Sequence, residues 1–269
     1  MIDRPRRLVL LGHPVTHSLS PAFQNAALAA AGIPLRYEAL DVVPADLGRV
    51  LEGFRGERVA GNVTIPHKAA AATLCDAVRP AAARTGAVNT FWIEHGNLVG
   101  DNTDLDGFAA MVAAVRPYPP NDLVVGIFGA GGAAAAVLAT VERWGGCTAV
   151  VCSRSAGRGL ALVERFRSIA RVSDADELAR RADLVVNATP IGLSDDAVPI
   201  DPRLLRSSAT VLDLVYRPGE TMWVRAARAA GLPALDGLTM LVEQGARAFE
   251  LWCGVAPNRE IMWEAVRRT

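Results

Sequence analysis

A glycine-rich turn between a short apolar run and an alanine-rich run most constrains how this chain can fold. In "VVGIFGAGGAAAAV", residues 124–137, the run ending at Phe128 predicts a buried strand and the alanines predict a helix. Gly129 suits a tight turn, Gly131 allows backbone to approach a bound group, and Ala134 permits close helix-on-strand packing. This GxGxxA pattern favours a dinucleotide-binding turn, with a plain tight turn and a methyltransferase nucleotide site as alternatives.

Strand-like and helix-like segments alternate on both sides of this turn. Upstream strands are predicted in "RLVLLG", "LRYEALDV" and "VAGNVTI", and upstream helices in "PAFQNAALAAAG", "PADLGRVLEGFR" and "HKAAAATLCDAV". "AVNTFWIEHGNLVGDNTD" predicts a hairpin that returns through His95-Gly96-Asn97. Downstream strands are predicted in "LVVGIF", "TAVVCS", "ADLVVNAT" and "ATVLDLVY", and downstream helices in "GGAAAAVLATVERWG", "AGRGLALVERF" and "TMWVRAARAAG". The alternation predicts an α/β protein whose second series forms a doubly wound parallel sheet.

The length of 269 residues suits two domains. Proline-rich "AVRPYPPNDL", residues 114–123, interrupts the alternation and predicts a boundary loop. The tail from Leu238 has apolar residues at helical spacing and no further strand, so we expect it to pack on the first domain.

Charge and cysteine usage limit the possible partners and the compartment. Lys plus Arg and Asp plus Glu number 28 each, so no bulk field favours nucleic acid or an anionic membrane, and a small ligand is expected. The four cysteines show no CxxC spacing, which predicts reduced, unmetallated thiols in a cytoplasmic protein. The first apolar run, of about five residues, is too short for a signal peptide or a membrane span.

The end of the strand after the glycine-rich turn bears on the cofactor. "VVCSRSAGR" has no acidic residue for a ribose hydroxyl and instead supplies Ser153, Arg154, Ser155 and Arg158. Arginine is the preferred fork for phosphate oxygens, so this loop predicts NADP, whereas the alternative is a solvated loop that happens to carry two arginines.

Two serines in "GHPVTHSLSPAFQN", residues 12–25, raise a second question. If the segment is extended, Ser18 and Ser20 share one face and can converge on a single acceptor-rich group. Ser20 followed by Pro21 also reads as a helix N-cap and first helical residue, which needs no ligand. Ser18 has no structural role in this interpretation, so Ser18→Ala is expected to weaken ligand binding and leave folding stability nearly unchanged.

Candidate catalytic groups follow the predicted strands of the first domain. Lys68 comes after "NVTIPH", Asn89 lies in "GAVNT", and Asn102 and Asp104 lie in "GDNTD". A lysine beside a carboxylate can bond a substrate oxygen and pass a proton. Taken singly, each residue has a plain structural role as a helix start, a turn or a cap. His13 and His17 are four residues apart, but Pro14 and the strand-like setting rule out a helical metal pair, and no metal site is indicated.

Together these segments resemble the shikimate dehydrogenase family. The motifs that carry the resemblance are "GHPVTHSLSP", "NVTIPHK", "GAVNT", "GDNTD", "GAGGAA", "NATPIG", "DLVYRP" and "GLTMLVEQGARAFELWCG", in order from residue 12 to about residue 254. The resemblance implies NADP-dependent, reversible reduction of 3-dehydroshikimate to shikimate in aromatic amino-acid (chorismate) biosynthesis. It also implies a substrate-binding domain of residues 1–104 plus 237–269 and a Rossmann-like NADP domain of residues 105–236.

The resemblance further assigns roles to residues of this sequence. It implies that Lys68 and Asp104 form the catalytic pair and that Ser18 and Ser20 hold the substrate carboxylate. Other residues implied near the substrate are Asn62, Thr64, Asn89, Tyr216 and Gln244. Those implied to bind NADP are Gly129, Ala130, Gly131, Gly132, Ala133, Ser153, Arg154, Ser155, Arg158, Asn187, Thr189, Gly237 and Met240.

The chain departs from the family pattern at two places. Gln24 stands where the family usually has His, and we expect packing to absorb that change. Ser153-Arg154-Ser155 stands where the family more often has Asn-Arg-Thr, which weakens the NADP prediction without supplying an NAD signal. Rival functions are a quinate or aminoshikimate dehydrogenase, and a non-catalytic nucleotide-binding regulator. A monomer and a homodimer are both compatible with the sequence.

Overall fold

The computed structural model describes residues 4–116 and 119–268 of the chain. The chain divides into two compact units, one formed by residues 1–107 with 241–269 and the other by residues 108–240. The predicted boundary loop at 114–123 includes Pro117 and Tyr118, which lie outside the described residues. Within the described ranges, no helix has the length and apolar character needed to cross a membrane.

The first unit is built on a mixed six-stranded sheet. Its elements before residue 114 are β1 (Arg7–Gly12), α1 (Ser20–Ala30), β2 (Tyr37–Asp41), α2 (Leu47–Glu57), β3 (Val59–Val63), α3 (Lys68–Leu74), β4 (Ala77–Val78), α4 (Pro80–Thr85), β5 (Thr90–Glu94), β6 (Asn97–Asp101) and α5 (Asp104–Ala113). The strand order is β2-β1-β3-β5-β6-β4, and β5 runs antiparallel to both of its neighbours. A short 3-10 turn at Pro44–Asp46 precedes α2.

The second unit is a doubly wound parallel sheet. Its elements are β7 (Val124–Phe128), α6 (Gly132–Trp144), β8 (Thr148–Cys152), α7 (Ala156–Arg165), β9 (Ala170–Val172), α8 (Ala175–Arg181), β10 (Leu184–Asn187), β11 (Thr210–Asp213), α9 (Met222–Ala229) and β12 (Ala234–Leu235). A further 3-10 turn spans Pro202–Leu204. The order β12-β11-β10-β7-β8-β9 reverses direction at β7, which confirms the predicted α/β class and Rossmann-like organisation.

The chain ends in α10 (Leu238–Cys253) and α11 (Arg259–Arg267), and α11 packs against α1 of the first unit. The core of that unit includes the stacked rings of Phe54 and Phe91, whose centroids lie 6.0 Å apart. In the second unit, Val185, Val211 and Trp223 belong to one buried cluster. Both sheets therefore have apolar faces covered by helices, as the alternating sequence predicts.

One predicted helix is wrong in extent. The segment "HKAAAATLCDAV" reads as helix throughout, but α3 ends at Leu74 and β4 follows. The Asp76 backbone N–H donates to the carbonyl of Leu98, and the Asp76 carboxylate accepts from the Leu98 N–H at 2.7 Å. This pairing with the start of β6 draws the chain out of the helix. The sequence interpretation also predicted no helix for α4, α5 or α8 and no strand for β9 or β12.

Candidate functional site

Lys68 and Asp104 form a direct ion pair in the first unit. Each is the first residue of a helix, α3 and α5 respectively, and Lys68 Nζ lies 2.6 Å from Asp104 Oδ2. The Asp104 side chain is 5% exposed and that of Lys68 is 23% exposed. The two predicted residues are thus brought together, with the ammonium as the more accessible partner.

Asn89 and Gln244 complete a polar group around this pair, which we name the lysine cluster: Lys68, Asn89, Asp104 and Gln244. Asn89 Nδ2 lies 2.8 Å from Asp104 Oδ1 and 3.2 Å from Gln244 Oε1. Asn89 Oδ1 accepts from the backbone N–H of Thr103 at 2.7 Å, which fixes which way the amide faces. Sequence reasoning missed Thr103, although it stands between Asn102 and Asp104 in the "GDNTD" motif.

Asn102 orders the chain just before α5. Its Oδ1 accepts from the Asp104 N–H at 3.0 Å, and its Nδ2 donates to the carbonyl of Ala87 at 2.9 Å. The alternative that Asp104 itself caps the helix is wrong, because Asp104 is the first helical residue of α5. The Asp104 carboxylate is therefore available to bond Lys68 and Asn89.

Asn62 and Thr64 lie at the end of β3. Asn62 is buried, donates to the carbonyl of Asn89 at 3.0 Å and accepts from the Tyr37 hydroxyl at 2.8 Å. Burial raises the pKa of Tyr37 well above its ordinary value, so this hydroxyl remains a donor. Thr64 is half-buried, and its backbone N–H donates to Leu11. Sequence reasoning missed Tyr37, for which a lone aromatic in a strand gives no signal.

The serine segment differs from the expectation in three ways. It is not extended: the Ser18 N–H donates to the Val15 carbonyl at 3.1 Å, and Leu19 has helical dihedral angles. Leu19 is the N-cap of α1 and Ser20 is already the first helical residue, so the predicted Ser20 cap is wrong. Ser18 Oγ accepts from the Ser20 N–H at 3.2 Å, so Ser18 does have a structural role. Ser18→Ala is consequently not a test of ligand binding alone.

Asp41, at the end of β2, fixes the start of this segment. Its carboxylate accepts from His13 Nδ1 at 2.6 Å and from the Val15 N–H at 3.2 Å. The His13 hydrogen bond is the main reason that the pKa of Asp41 is lowered. Over the described part of the chain, no group of three or more His, Cys, Asp or Glu side chains has the arrangement of a metal site.

The glycine turn, residues 129–133, joins β7 to α6 in the second unit. Gly129 has φ 116°, and a Cβ there would lie 2.6 Å from the Ala188 carbonyl oxygen. A Cβ on Gly131, the N-cap of α6, would meet nothing within 4 Å, so this backbone borders open space at a helix N-terminus. Ala134 is fully buried, as predicted. The remaining residues of the turn are Ala130, Gly132 and Ala133. A pyrophosphate fits this arrangement, because free space adjoins backbone N–H groups and the positive end of the helix dipole.

The second cofactor segment follows β8. Arg154 and Arg158 are exposed, and no ion pair to either guanidinium is found among the described residues. Ser155 is the N-cap of α7, and Ser153 Oγ donates to its carbonyl at 3.2 Å. Two uncompensated cations beside a helix start suit an additional phosphate group.

Asn187 and Thr189 belong to a buried network at the ends of β10 and β11. Asn187 Nδ2 donates to Asp213 Oδ1 at 2.8 Å, and Asn187 Oδ1 accepts from Thr189 Oγ1 at 2.6 Å. Asp213 also accepts from the Val215 N–H at 3.1 Å and from Thr221 Oγ1 at 2.7 Å. Burial raises the pKa of Asp213. Sequence reasoning missed Asp213 and Thr221, although "DLVYRP" begins at Asp213.

The last predicted positions lie on the loops and helix that follow β11. Tyr216 is half-buried just beyond that strand. Gly237 donates its N–H to the Val215 carbonyl, and a Cβ there would lie 2.4 Å from the Leu214 carbonyl oxygen, so the position has a packing reason for glycine. Met240 is buried on α10.

Comparison with known proteins identifies the family of this chain. The family model described as the shikimate dehydrogenase substrate binding domain matches residues 10–91, and that of the shikimate 5'-dehydrogenase C-terminal domain matches residues 237–267. The shikimate dehydrogenase (NADP(+)) of Mesorhizobium japonicum is 41% identical over 267 residues, covering 96% of this chain and 94% of the relative. A Thermus thermophilus shikimate 5-dehydrogenase structure, in complex with NADP(H) and shikimate, has a TM-score of 0.89 and 41% identity, covering 97% of this chain and 98% of that one.

A related fold also serves another substrate. The quinate dehydrogenase of Corynebacterium glutamicum, in complex with NAD, has a TM-score of 0.89 and 32% identity, covering 99% of this chain and 100% of that one. Family membership is carried by the full-length relatives with higher identity rather than by the fold alone. The chain belongs to the shikimate dehydrogenase family.

Proposed function

We propose that this protein is an NADP-dependent oxidoreductase that reversibly reduces 3-dehydroshikimate to shikimate in aromatic amino-acid biosynthesis. The observation that carries the proposal is the 2.6 Å bond between Lys68 and the buried Asp104, within a family whose named relatives are shikimate dehydrogenases (NADP(+)). Reduction of a ketone to an alcohol requires a proton donor, and an ammonium held by a carboxylate can serve as one.

NADPH, when bound, supplies the hydride that the ketone carbon accepts. The open space at Gly131 supports placing the pyrophosphate along residues 129–133. The exposed guanidinium groups of Arg154 and Arg158, with Ser153 and Ser155, support a site for the 2′-phosphate of NADP. We further assign to the cofactor Asn187, Thr189, Gly237 and Met240.

Lys68 handles the proton that accompanies hydride transfer. Its ammonium donates a hydrogen bond to the ketone oxygen, stabilises negative charge as it develops there, and passes a proton to it. Asp104 orients the ammonium and balances its charge. The carbonyl carbon gains hydride and its oxygen gains a proton, so the product is an alcohol. Because the two groups are coupled, the pair acts as the proton donor.

The remaining assignments concern substrate binding. We assign the substrate carboxylate to Ser18 and Ser20, close to the N-terminus of α1, where the helix dipole favours an anion. We assign the ring hydroxyls and their surroundings to Asn62, Thr64, Asn89, Tyr216 and Gln244. Asn89 and Gln244 are supported by their contacts within the lysine cluster, whereas both amide atoms of Asn62 are engaged with other protein groups.

Two rival functions give different results in one experiment. A quinate or aminoshikimate dehydrogenase binds a related ring, and the intact serine pair favours shikimate over quinate. A non-catalytic nucleotide-binding regulator has no reason to keep Lys68, Asp104 and Gln244 together. Initial rates with shikimate and quinate, each with NADP and NAD, separate these cases. We expect turnover of shikimate with NADP; strong preference for quinate or for NAD would contradict the substrate or the cofactor assignment.

We assign substrate binding to residues 1–104 with 237–269 and NADP binding to residues 105–236. We expect a cytoplasmic enzyme that works on a small molecule, without nucleic-acid or membrane partners. A monomer and a homodimer both fit this proposal, and light scattering at several protein concentrations decides between them.

A further inference from the structure

Gln24 is a buried polar residue, and only one of the two polar atoms of its side chain makes a hydrogen bond with the described residues. It lies on α1 with 1% of its surface exposed. Its Nε2 donates to the backbone carbonyl of Gly245 on α10 at 2.9 Å. Its Oε1 has no hydrogen-bond partner among the described residues. Within the described part of the chain, only the Nε2 donor of this amide therefore makes a hydrogen bond.

The bond reaches α10 at Gly245, where this helix is in close contact with α1. A Cβ on Gly245 would lie 2.5 Å from Cε2 of Phe23 and 3.1 Å from Nε2 of Gln24. The helix backbone at Gly245 is thus held against α1 by a packing contact and a hydrogen bond, and a side chain there would collide with the Phe23 ring.

The residue before Gly245 is Gln244, a member of the lysine cluster. Gln244 Oε1 lies 3.2 Å from Asn89 Nδ2, and its Nε2 donates to the Leu241 carbonyl at 2.8 Å. That bond to Leu241 ties the Gln244 amide to its own helix. A shift of α10 relative to α1 would therefore carry Gln244 away from Asn89.

Helix α1 also bears Ser20, one turn before Gln24. Gln24 consequently links the helix of a serine assigned to the substrate carboxylate with the helix of a glutamine assigned to the ring. These two groups must keep a fixed spacing to bind one rigid ring.

We propose that Gln24 is a positioning residue, which holds Gln244 at the distance from Ser20 that the substrate requires. The inference rests on the proposed function, and it assigns Gln24 a role through α10 rather than at the substrate, because its Nε2 is engaged with the Gly245 carbonyl. The group that performs this positioning is the side-chain N–H donor of Gln24. A replacement with a donor at this place should preserve substrate affinity, whereas an apolar residue of similar length should not.

Three variants test this role: Gln24→Met removes the donor at similar length, Gln24→Asn keeps the amide but shortens its reach, and Gln24→His keeps an N–H donor. In Gln24→Met and Gln24→Asn we expect KM for shikimate to rise about 10-fold, with kcat changed less than about 3-fold. KM for NADP should stay within about 2-fold of wild type, which serves as the internal control. Gln24→His should restore KM for shikimate to within about 3-fold of wild type.

Thermal unfolding of each variant separates positioning from general stability. A lower Tm with unchanged KM for shikimate in Gln24→Met or Gln24→Asn would overturn the proposal, and so would equal rises in KM for both substrates. If Gln24→Met does not fold, the milder Gln24→Asn and the His variant decide. Absence of wild-type turnover would remove the proposed function and this role with it, whereas normal wild-type turnover with an unaltered KM in the variants removes only the role of Gln24.

Discussion

The lysine cluster and the glycine turn are suited to their proposed ligands by opposite structural features. In the lysine cluster, side chains are fixed by one another: Lys68 bonds Asp104, Asp104 bonds Asn89, and Asn89 bonds Gln244. In the glycine turn, three of the five residues have no side chain, and a Cβ at Gly131 would meet only open space. The first region is organised by polar contacts and the second by what the backbone leaves free.

This difference follows from what each region has to do. Proton transfer requires a donor held in one place with its charge balanced, which costs little reorganisation during the reaction. A pyrophosphate requires backbone N–H groups and room, and any side chain is an obstacle. Substitutions of the Lys68–Asp104 pair should therefore change turnover, whereas substitutions in the glycine turn should change cofactor binding.

The largest effect is expected from Lys68→Met. Loss of the ammonium removes the proton donor and leaves the carboxylate of Asp104 without its cation, so kcat should fall by about 10²–10⁴-fold. KM for shikimate should change much less, because the main interaction of Lys68 is made in the transition state. Steady-state kinetics measures both, and NADPH binding followed by fluorescence is the control. Near-normal turnover would remove the catalytic assignment.

A matched pair of glycine substitutions should separate cofactor binding from folding. Gly131→Val adds a side chain to open space, so Tm should be nearly unchanged while KM for NADP rises by about 10- to 100-fold. Gly129→Val forces a β-branched residue to φ 116° and brings Cβ within 2.6 Å of the Ala188 carbonyl, so Tm should fall.

Calorimetry and initial rates on both variants provide the measurement. A Gly131→Val protein with wild-type KM for NADP would contradict placement of the pyrophosphate at this turn. A Gly129→Val protein with unchanged Tm would show that the loop carrying Ala188 moves away from the new side chain without loss of stability.

Arg154→Ala should have a smaller effect, confined to one cofactor. Since its guanidinium is exposed and assigned to the 2′-phosphate, KM for NADP should rise about 10-fold while KM for NAD stays nearly constant. Arg167→Ala is the matched control, because Arg167 is also exposed but pairs with Glu164. Equal changes for NADP and NAD would place Arg154 away from the phosphate that distinguishes them.

Sequence reasoning predicted the sheets because apolar runs and glycine punctuation are local signals. It omitted α8, although Asp174 caps that helix by accepting from the Glu177 N–H at 2.7 Å and the D-x-x-E spacing was available. It extended α3 too far because the pairing of Asp76 with Leu98 joins residues distant in sequence. Local patterns cannot report such pairings.

The same limit applies to the candidate site. Lys68, Asn89 and Asp104 could be proposed because each lies at an end of a predicted strand, but their mutual distances depend on strand order. Thr103, Tyr37 and Asp213 were missed because their roles are to orient other polar groups. The residue type alone does not indicate such a role. Ser18 was misjudged because a turn, rather than an extended segment, precedes α1.

The smallest expected effect concerns the buried carboxylate of Asp213. Its pKa is raised from the ordinary value of 3.8, mainly by burial. Between pH 3.8 and the folded pKa, the folded protein binds more protons at this site than the unfolded chain does. The contribution of Asp213 to the free energy of unfolding therefore falls as pH rises through that window. At neutral pH this residue costs stability, by about 1.4 kcal/mol for each pKa unit of the rise.

Asp213→Asn should remove this pH dependence and keep the network. An Asn oxygen can still accept from Asn187 and Val215, and its NH₂ can donate to Thr221 Oγ1, although the Thr221 hydroxyl proton then loses its acceptor, which lowers the stability of the variant by an amount that does not depend on pH. The free energy of unfolding of the variant minus that of wild type should rise from about pH 4 upward and then level off. Urea unfolding from pH 4 to 8 measures it. The paired surface carboxylates are present in both proteins and cancel. Asp236, whose pKa burial also raises, adds to the rise at Asp213 through its charge, so the difference includes its interaction with Asp213. Parallel stability curves would mean that Asp213 is ionised in the fold at little cost, and that its three donors compensate fully for burial.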